Sequence, residues 1–126
     1  MEKVLLVAAG GAFGSVARYL VGVQALRLGA GWPYGTLTVN MVGGALMGVL
    51  VGFLAHRGGT DQERLRVLLG VGVLGGFTTF SAFSLETALM IERRAYGQAL
   101  SYSLLSVGLS IGALFLGLMA ARRVFA

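Results

Sequence analysis

The run from residue 75 to residue 84, GGFTTFSAFS, places hydroxyls, aromatic rings and paired glycines inside a segment that is otherwise apolar from about Val67 to Ile91. Phe80 and Phe83 are three residues apart, so they share one face if the backbone is helical. Two interpretations are open. The rings are either core aromatics, or they direct their positive edges at a pore and bind an anion weakly enough for it to move on.

The two glycines and two threonines at the start of this run predict a break in the helix. A broken membrane helix frees backbone carbonyls, which are tolerated only where they face protein, water or an ion. The carbonyls of Gly75 and Thr78 are therefore candidate ligands for a small cation, particularly if two subunits contribute them symmetrically.

Asn40 and Arg18 are polar side chains within other apolar runs. A buried polar group without a partner costs about 2 to 7 kcal/mol, so such residues mark positions lined by protein or water. Asn40 either makes a hydrogen bond between helices or presents its two amide N–H donors to a dehydrated anion. Arg18, next to Tyr19, either reaches the lipid headgroups or lines a vestibule and concentrates anions by its field.

Tyr102, Ser106 and Ser110 recur at every fourth residue, which places three hydroxyls on one face of a helix. They form either a packing face of small residues or a ladder of donors for an ion that sheds its water. Glu86 lies near the far end of the segment that holds the phenylalanines. Its carboxylate is either a proton or substrate site, or is satisfied by helix neighbours or by Arg93.

The composition excludes a soluble domain. Hydrophobic residues make up 56% of the chain, charged residues 12%, and the mean hydropathy is +0.83, whereas about a quarter of residues are charged in soluble domains. There is no cysteine and one histidine, His56, in the most polar loop, which leaves thiolate and histidine metal sites without ligands. The net charge of +5 comes from arginines at the ends of apolar runs, which indicates membrane-flanking cations and no nucleic-acid partner.

Four apolar runs are long enough to cross a bilayer, which requires about 20 mainly apolar residues in a helix. We therefore predict an all-α integral membrane protein with a single transmembrane domain over residues 1–126. No soluble domain is left over, so function must reside within the membrane. The helices are predicted at about residues 4–26, 35–55, 67–91 and 95–121.

Charge and glycine spacing predict how the helices assemble. Lysines and arginines are only slightly more numerous on the side of the termini, a bias small enough to permit insertion in both orientations. Four short helices enclose little interior, so we expect a homo-oligomer. Glycines at four-residue spacing predict close helix contacts, and they occur at Gly10 and Gly14, at Gly44, Gly48 and Gly52, and at Gly108 and Gly112.

Three motifs resemble those of the CrcB/Fluc family of fluoride channels, and the resemblance covers essentially the whole chain. They are Gly10 to Gly14 followed by Arg18 and Tyr19, Gly35 to Asn40 followed by Gly43, and Gly75 to Phe83. They occur in order in a chain of the right length with four spans. Ala82 departs from the pattern, since the family commonly has threonine there, and we expect a hydroxyl to be missing beside the phenylalanines.

The resemblance implies a fold and an activity. The fold is an antiparallel, dual-topology homodimer with a break in the third helix, two fluoride pores and a structural sodium ion at the dimer interface. The activity is passive, fluoride-selective export across the cell's inner (plasma) membrane, which lowers fluoride toxicity and needs no enzyme chemistry. The partners are fluoride, membrane lipid and a second copy of the chain.

The resemblance also implies a role for each polar or aromatic residue singled out above. One set lines the anion pore, one lies in the aqueous vestibule, and one binds sodium through backbone carbonyls. The pore set is Phe80, Phe83, Asn40, Tyr102, Ser106 and Ser110, the vestibule set is Arg18 and Glu86, and the sodium set is Gly75 and Thr78.

Two other function classes fit four short apolar helices. A small proton-coupled multidrug transporter needs a carboxylate within the membrane, and Glu86 is the only candidate. A non-transporting assembly protein needs only the glycine packing, and it predicts that the pore residues can be replaced without effect.

Overall fold

The computed structural model describes residues 1–29, 31–57, 59 and 61–125, and within these ranges every regular element is helical. Four short helical segments follow one another between residues 61 and 92, and the second of them is a π-helix. The α-helices are α1 (Glu2–Leu26), α2 (Tyr34–His56), α3 (Asp61–Leu65), α4 (Gly75–Phe77), α5 (Ser81–Glu92) and α6 (Tyr96–Phe125), with the π-helix at Arg66–Leu74.

Four helical stretches are long and apolar enough to cross a membrane: α1, α2, the composite stretch Asp61–Glu92 and α6. This confirms the prediction of an all-helical chain with four spans. Only 11 to 28% of each apolar window is buried inside the chain. Most of the apolar surface therefore faces outward, as expected for residues that contact lipid or another protein chain.

The third span is helical on both sides of a short non-helical segment, Thr78–Phe80. The backbone of Thr78 is extended, with φ −87° and ψ 160°. Sequence periodicity gave no signal for the π-helix that precedes the segment. Segments of this kind are rare and frequently occur at functional sites.

Glycines carry the close contacts between helices. A Cβ built at Gly44 of α2 would lie 2.7 Å from the carbonyl oxygen of Ser110 on α6, and one built at Gly10 of α1 would lie 2.6 Å from that of Leu68. Side chains do not approach backbone this closely. Because glycine has no side chain, α2 can pack along α6 and α1 can pack on the π-helix. This confirms the prediction of close contacts for the first two glycine series.

Gly108 and Gly112 of α6 behave differently. A Cβ built at either position would meet no atom of another element within 4 Å in the described part of the chain. The prediction that every glycine series marks a contact is therefore wrong for this pair within one chain. The face of α6 that carries them is open.

Ion pairs join the start of α1 to the start of the third span. Arg64 lies 2.7 Å from Glu2 and Lys3 lies 3.7 Å from Glu63, while a third pair, Arg66 and Glu63 at 2.7 Å, lies within the third span. All of these side chains are largely exposed, so solvent screens each pair and its contribution to the stability of the fold is small. They fix the register of two helix ends more than they stabilise the fold.

Candidate ion pathway

A cleft of about 410 Å³ lies between α2, α6 and the part of the third span around its non-helical segment. It brings together most of the residues that the sequence singled out, from three separate helices. Its walls include Asn40, Thr78, Phe80, Phe83, Ser106 and Ser110. Tyr102, which the sequence placed in the same set, does not line the cleft but lies directly behind it.

Four aromatic rings run from the cleft into the protein. Phe80 is 77% exposed, and its ring centroid lies 5.6 Å from that of Phe83, at an interplanar angle of 46°. Phe83 in turn lies 5.3 Å from Tyr102, and Tyr102 makes an edge-to-face contact with Trp32 at 5.9 Å. Of these four rings, those of Phe80 and Phe83 line the cleft, whereas Tyr102 is fully buried behind them.

The hydroxyls of Ser106 and Ser110 are buried and have no hydrogen-bond partner among the residues that the structure describes. A buried hydroxyl left unpaired costs about 1 to 3 kcal/mol. Both residues line the cleft beside the phenylalanine rings. Their O–H groups are therefore free to donate to a ligand there.

Glu86 is separated from this cleft. Its Oε2 accepts a hydrogen bond from the Thr36 hydroxyl at 3.0 Å, and its Oε1 accepts one from the Tyr102 hydroxyl at 3.1 Å. Glu86 and Arg93 line a second cavity, of about 290 Å³, beside Trp32. The Glu86 carboxylate is thus satisfied by hydroxyls of α2 and α6, and no ion pair to Arg93 occurs within the described ranges.

Both polar groups of the Asn40 side chain bind one residue of the non-helical segment. Nδ2 donates to the Thr79 carbonyl at 3.0 Å, and Oδ1 accepts from the Thr79 N–H at 2.9 Å. Asn40 therefore joins α2 to the non-helical segment of the third span. One N–H of the amide is left over, since the NH₂ group carries two donors.

Arg18 lies on the other side of the third span. Its Nε donates to the Gly76 carbonyl at 3.1 Å, and it lines a third cavity, of about 520 Å³, with Ser15 and Ala82 among the other wall residues. Ala82 is absent from the walls of the cleft that holds the phenylalanines. The hydroxyl that a threonine at position 82 would supply is therefore absent from the Arg18 cavity, and the cleft is unaffected.

The backbone around the non-helical segment leaves two carbonyls without a donor. The Thr79 N–H, which would reach the Gly75 carbonyl in a helix, binds Asn40. The Ala82 N–H, which would reach the Thr78 carbonyl, binds the Thr79 hydroxyl at 3.1 Å. Among the described residues, no hydrogen bond reaches the carbonyl of Gly75 or of Thr78. Both oxygens are available as ligands.

Residues 5–118 match the family model described as CrcB-like protein, camphor resistance (CrcB). The chain belongs to the CrcB family. Its relatives include proteins named fluoride-specific ion channel FluC. One from Caulobacter vibrioides and one from Phenylobacterium zucineum are each 72% identical with both chains covered completely, and one from Ruegeria is 58% identical with 96% of this chain and 95% of the relative covered.

Membership of the CrcB family, an ion-channel family and not an enzyme class, together with four spans, makes this a multi-pass membrane protein. The residues that sequence reasoning missed in this CrcB protein are those that hold the others in place. Thr79 binds Asn40 and the start of α5, and Thr36 binds Glu86. The only available signal was that each threonine stands inside a motif of the family.

Proposed function

We propose that the chain forms a fluoride-selective channel that exports fluoride passively. One observation carries the proposal: the unpartnered hydroxyls of Ser106 and Ser110 line the same cleft as the rings of Phe80 and Phe83. A small anion between them would accept hydrogen bonds from the hydroxyls and meet the positive edges of the rings. The names of the curated relatives support the same activity.

The donors of the cleft suit an ion that has to leave again. Hydroxyls and ring edges carry only partial positive charge, so they replace water around fluoride without holding it as an arginine would. Hydrogen fluoride enters a cell as a neutral weak acid and ionises inside, and the membrane potential drives the anion out. In this proposal the channel lies in the cell's inner membrane, where it lowers fluoride toxicity.

The working unit in this proposal is an antiparallel homodimer with two pores. Three features support it: most of the apolar surface is unburied within one chain, Phe80 is 77% exposed, and the glycine face of α6 at Gly108 and Gly112 is open in the described structure. The weak charge bias between the two sides of the membrane supports insertion in both orientations. A second copy would close the cleft on its open side.

A structural sodium ion at the dimer interface is part of the proposal. Unwound carbonyls are sodium ligands in membrane proteins, and the Gly75 and Thr78 carbonyls, which receive no hydrogen bond from the described residues, fit such a donor set. Gly75 is exposed, so a second copy can approach it. When bound, sodium would supply the positive charge that balances carbonyl dipoles from two subunits. In this proposal, Thr78–Phe80 is the break in the third membrane helix.

Fluoride efflux from liposomes tests the channel. Protein is reconstituted with potassium fluoride inside, the pH is equal on both sides, and a potassium ionophore allows charge to balance. A fluoride electrode should record rapid release that requires the ionophore, while chloride loaded in parallel vesicles is retained.

Other outcomes identify the rival classes. Fluoride that stays trapped while an organic cation exchanges for protons would replace the channel with a proton-coupled transporter that uses Glu86. An assembly role would remain if the vesicles release neither fluoride nor the organic cation, and if a Phe80→Ile variant still protects an exporter-deficient host from fluoride.

A further inference from the structure

The hydrogen bonds at Thr79 are unusual because one side chain binds both polar groups of one peptide residue. The Asn40 Oδ1 accepts a hydrogen bond from the Thr79 N–H at 2.9 Å, and its Nδ2 donates one to the Thr79 carbonyl at 3.0 Å, although the two residues are 39 positions apart. Each buried backbone group needs a partner, and in hydrocarbon the helix itself is the usual source. For Thr79, the side chain of α2 provides both partners.

Without Asn40, the most accessible acceptor for the Thr79 N–H is the Gly75 carbonyl, four residues earlier. The preceding N–H already follows the helical pattern, since Thr78 donates to the Leu74 carbonyl at 3.0 Å. The Thr78 hydroxyl binds the same carbonyl at 2.9 Å. The helix is thus intact up to the donor that Asn40 removes, and the backbone becomes extended at that point.

We propose that Asn40 is a positioning residue that keeps Thr78–Phe80 out of the helix and thereby leaves the Gly75 carbonyl free. The same contact sets the direction of Phe80, which follows Thr79 directly. The backbone part of this inference is independent of the proposed function. Its consequences for sodium and fluoride rest on that function.

The backbone part is measured by nuclear magnetic resonance of threonine-labelled protein in detergent micelles. The Cα and Cβ shifts of Thr78 report whether its backbone is extended or helical. In Asn40→Leu, which keeps bulk and removes both polar groups, we expect the Thr78 shifts to move toward those of Thr87, which lies within α5. Ser110→Ala, in the same cleft, should leave them unchanged. Unchanged Thr78 shifts in folded Asn40→Leu would overturn the inference.

A second measurement uses the wild-type protein, in case Asn40→Leu does not fold. The Thr79 N–H should exchange with solvent about tenfold more slowly than the Phe80 N–H, because Asn40 binds the first and no described residue binds the second. Equal exchange rates would contradict the inference. Asn40→Asp keeps the acceptor and loses the donor, so it should keep the Thr78 shifts extended.

The sodium consequence has its own readout. The midpoint of thermal unfolding is compared in sodium chloride and in N-methylglucamine chloride, and we expect a sodium-dependent increase in the wild type and in Ser110→Ala that Asn40→Leu loses. If the unfolding midpoint of the wild type is the same in both salts, the proposed sodium site is wrong. The Thr78 chemical shifts would still decide the role of Asn40. An increase that persists in Asn40→Leu would refute the link between Asn40 and the carbonyls.

Discussion

The cleft on one side of the third span and the cavity on the other differ in how their polar groups are used. In the cleft, the hydroxyls of Ser106 and Ser110 are buried and unpartnered within the described structure. In the cavity, Arg18 carries a full charge, but its Nε is already bound to the Gly76 carbonyl. The cleft thus contains weak hydrogen-bond donors without a partner, whereas the strong donor of the cavity, the Arg18 guanidinium, already makes one hydrogen bond.

The two regions therefore suit different steps: the Arg18 cavity can attract an anion, and the cleft can let it pass. A guanidinium binds an anion tightly and from a distance, so it suits a position that gathers ions and does not lie on the narrow path. Hydroxyls and ring edges act only at contact and release readily. The non-helical segment lies between the two regions. Asn40 binds the backbone of Thr79 within it, and Arg18 binds the carbonyl of Gly76, two residues before it.

Removing both serine hydroxyls should have the largest effect. In Ser106→Ala with Ser110→Ala, fluoride flux should fall by at least about 100-fold, because a hydrogen bond to a charged group is worth about 1.5 to 3 kcal/mol and two are lost. The unfolding midpoint should not fall, since each change removes an unsatisfied buried group. Liposome efflux and thermal unfolding are measured on the same preparation. Unchanged flux with lower stability would assign the serines to packing.

Loss of the exposed ring comes next. Phe80→Leu keeps an apolar side chain and should reduce flux by about tenfold, which corresponds to the upper part of the 0.5 to 1.5 kcal/mol assigned to specific aromatic contacts. Phe115→Leu is the matched control, because Phe115 is also exposed, on α6, and does not line the cleft. Equal losses in the two variants, measured by liposome efflux, would show that bulk or membrane insertion matters and the ring edge does not.

The sequence predicted the four spans and most of the cleft, for physical reasons. Apolar length decides the spans, and the four-residue spacing of Ser106 and Ser110 places both on one face. It did not predict that Asn40 binds Thr79, because that contact depends on how α2 lies against the third span. Ala82 lines the Arg18 cavity and not the cleft, because it and Phe83 are adjacent residues of α5 and point about 100° apart around the helix.

The smallest effect is expected at Arg18, where the comparison of the two regions is tested most directly. Arg18→Gln should reduce fluoride flux by about threefold at low salt, and the difference should vanish at high salt, since charges in water are screened beyond about 10 Å at 0.1 M. Arg18→Lys keeps the charge and should match the wild type. Efflux is recorded over a series of ionic strengths with an impermeant salt. A loss in Arg18→Gln that is independent of salt and shared by Arg18→Lys would mean that the bond to Gly76 matters and the field does not, which would make Arg18 a second residue that holds the backbone of the third span.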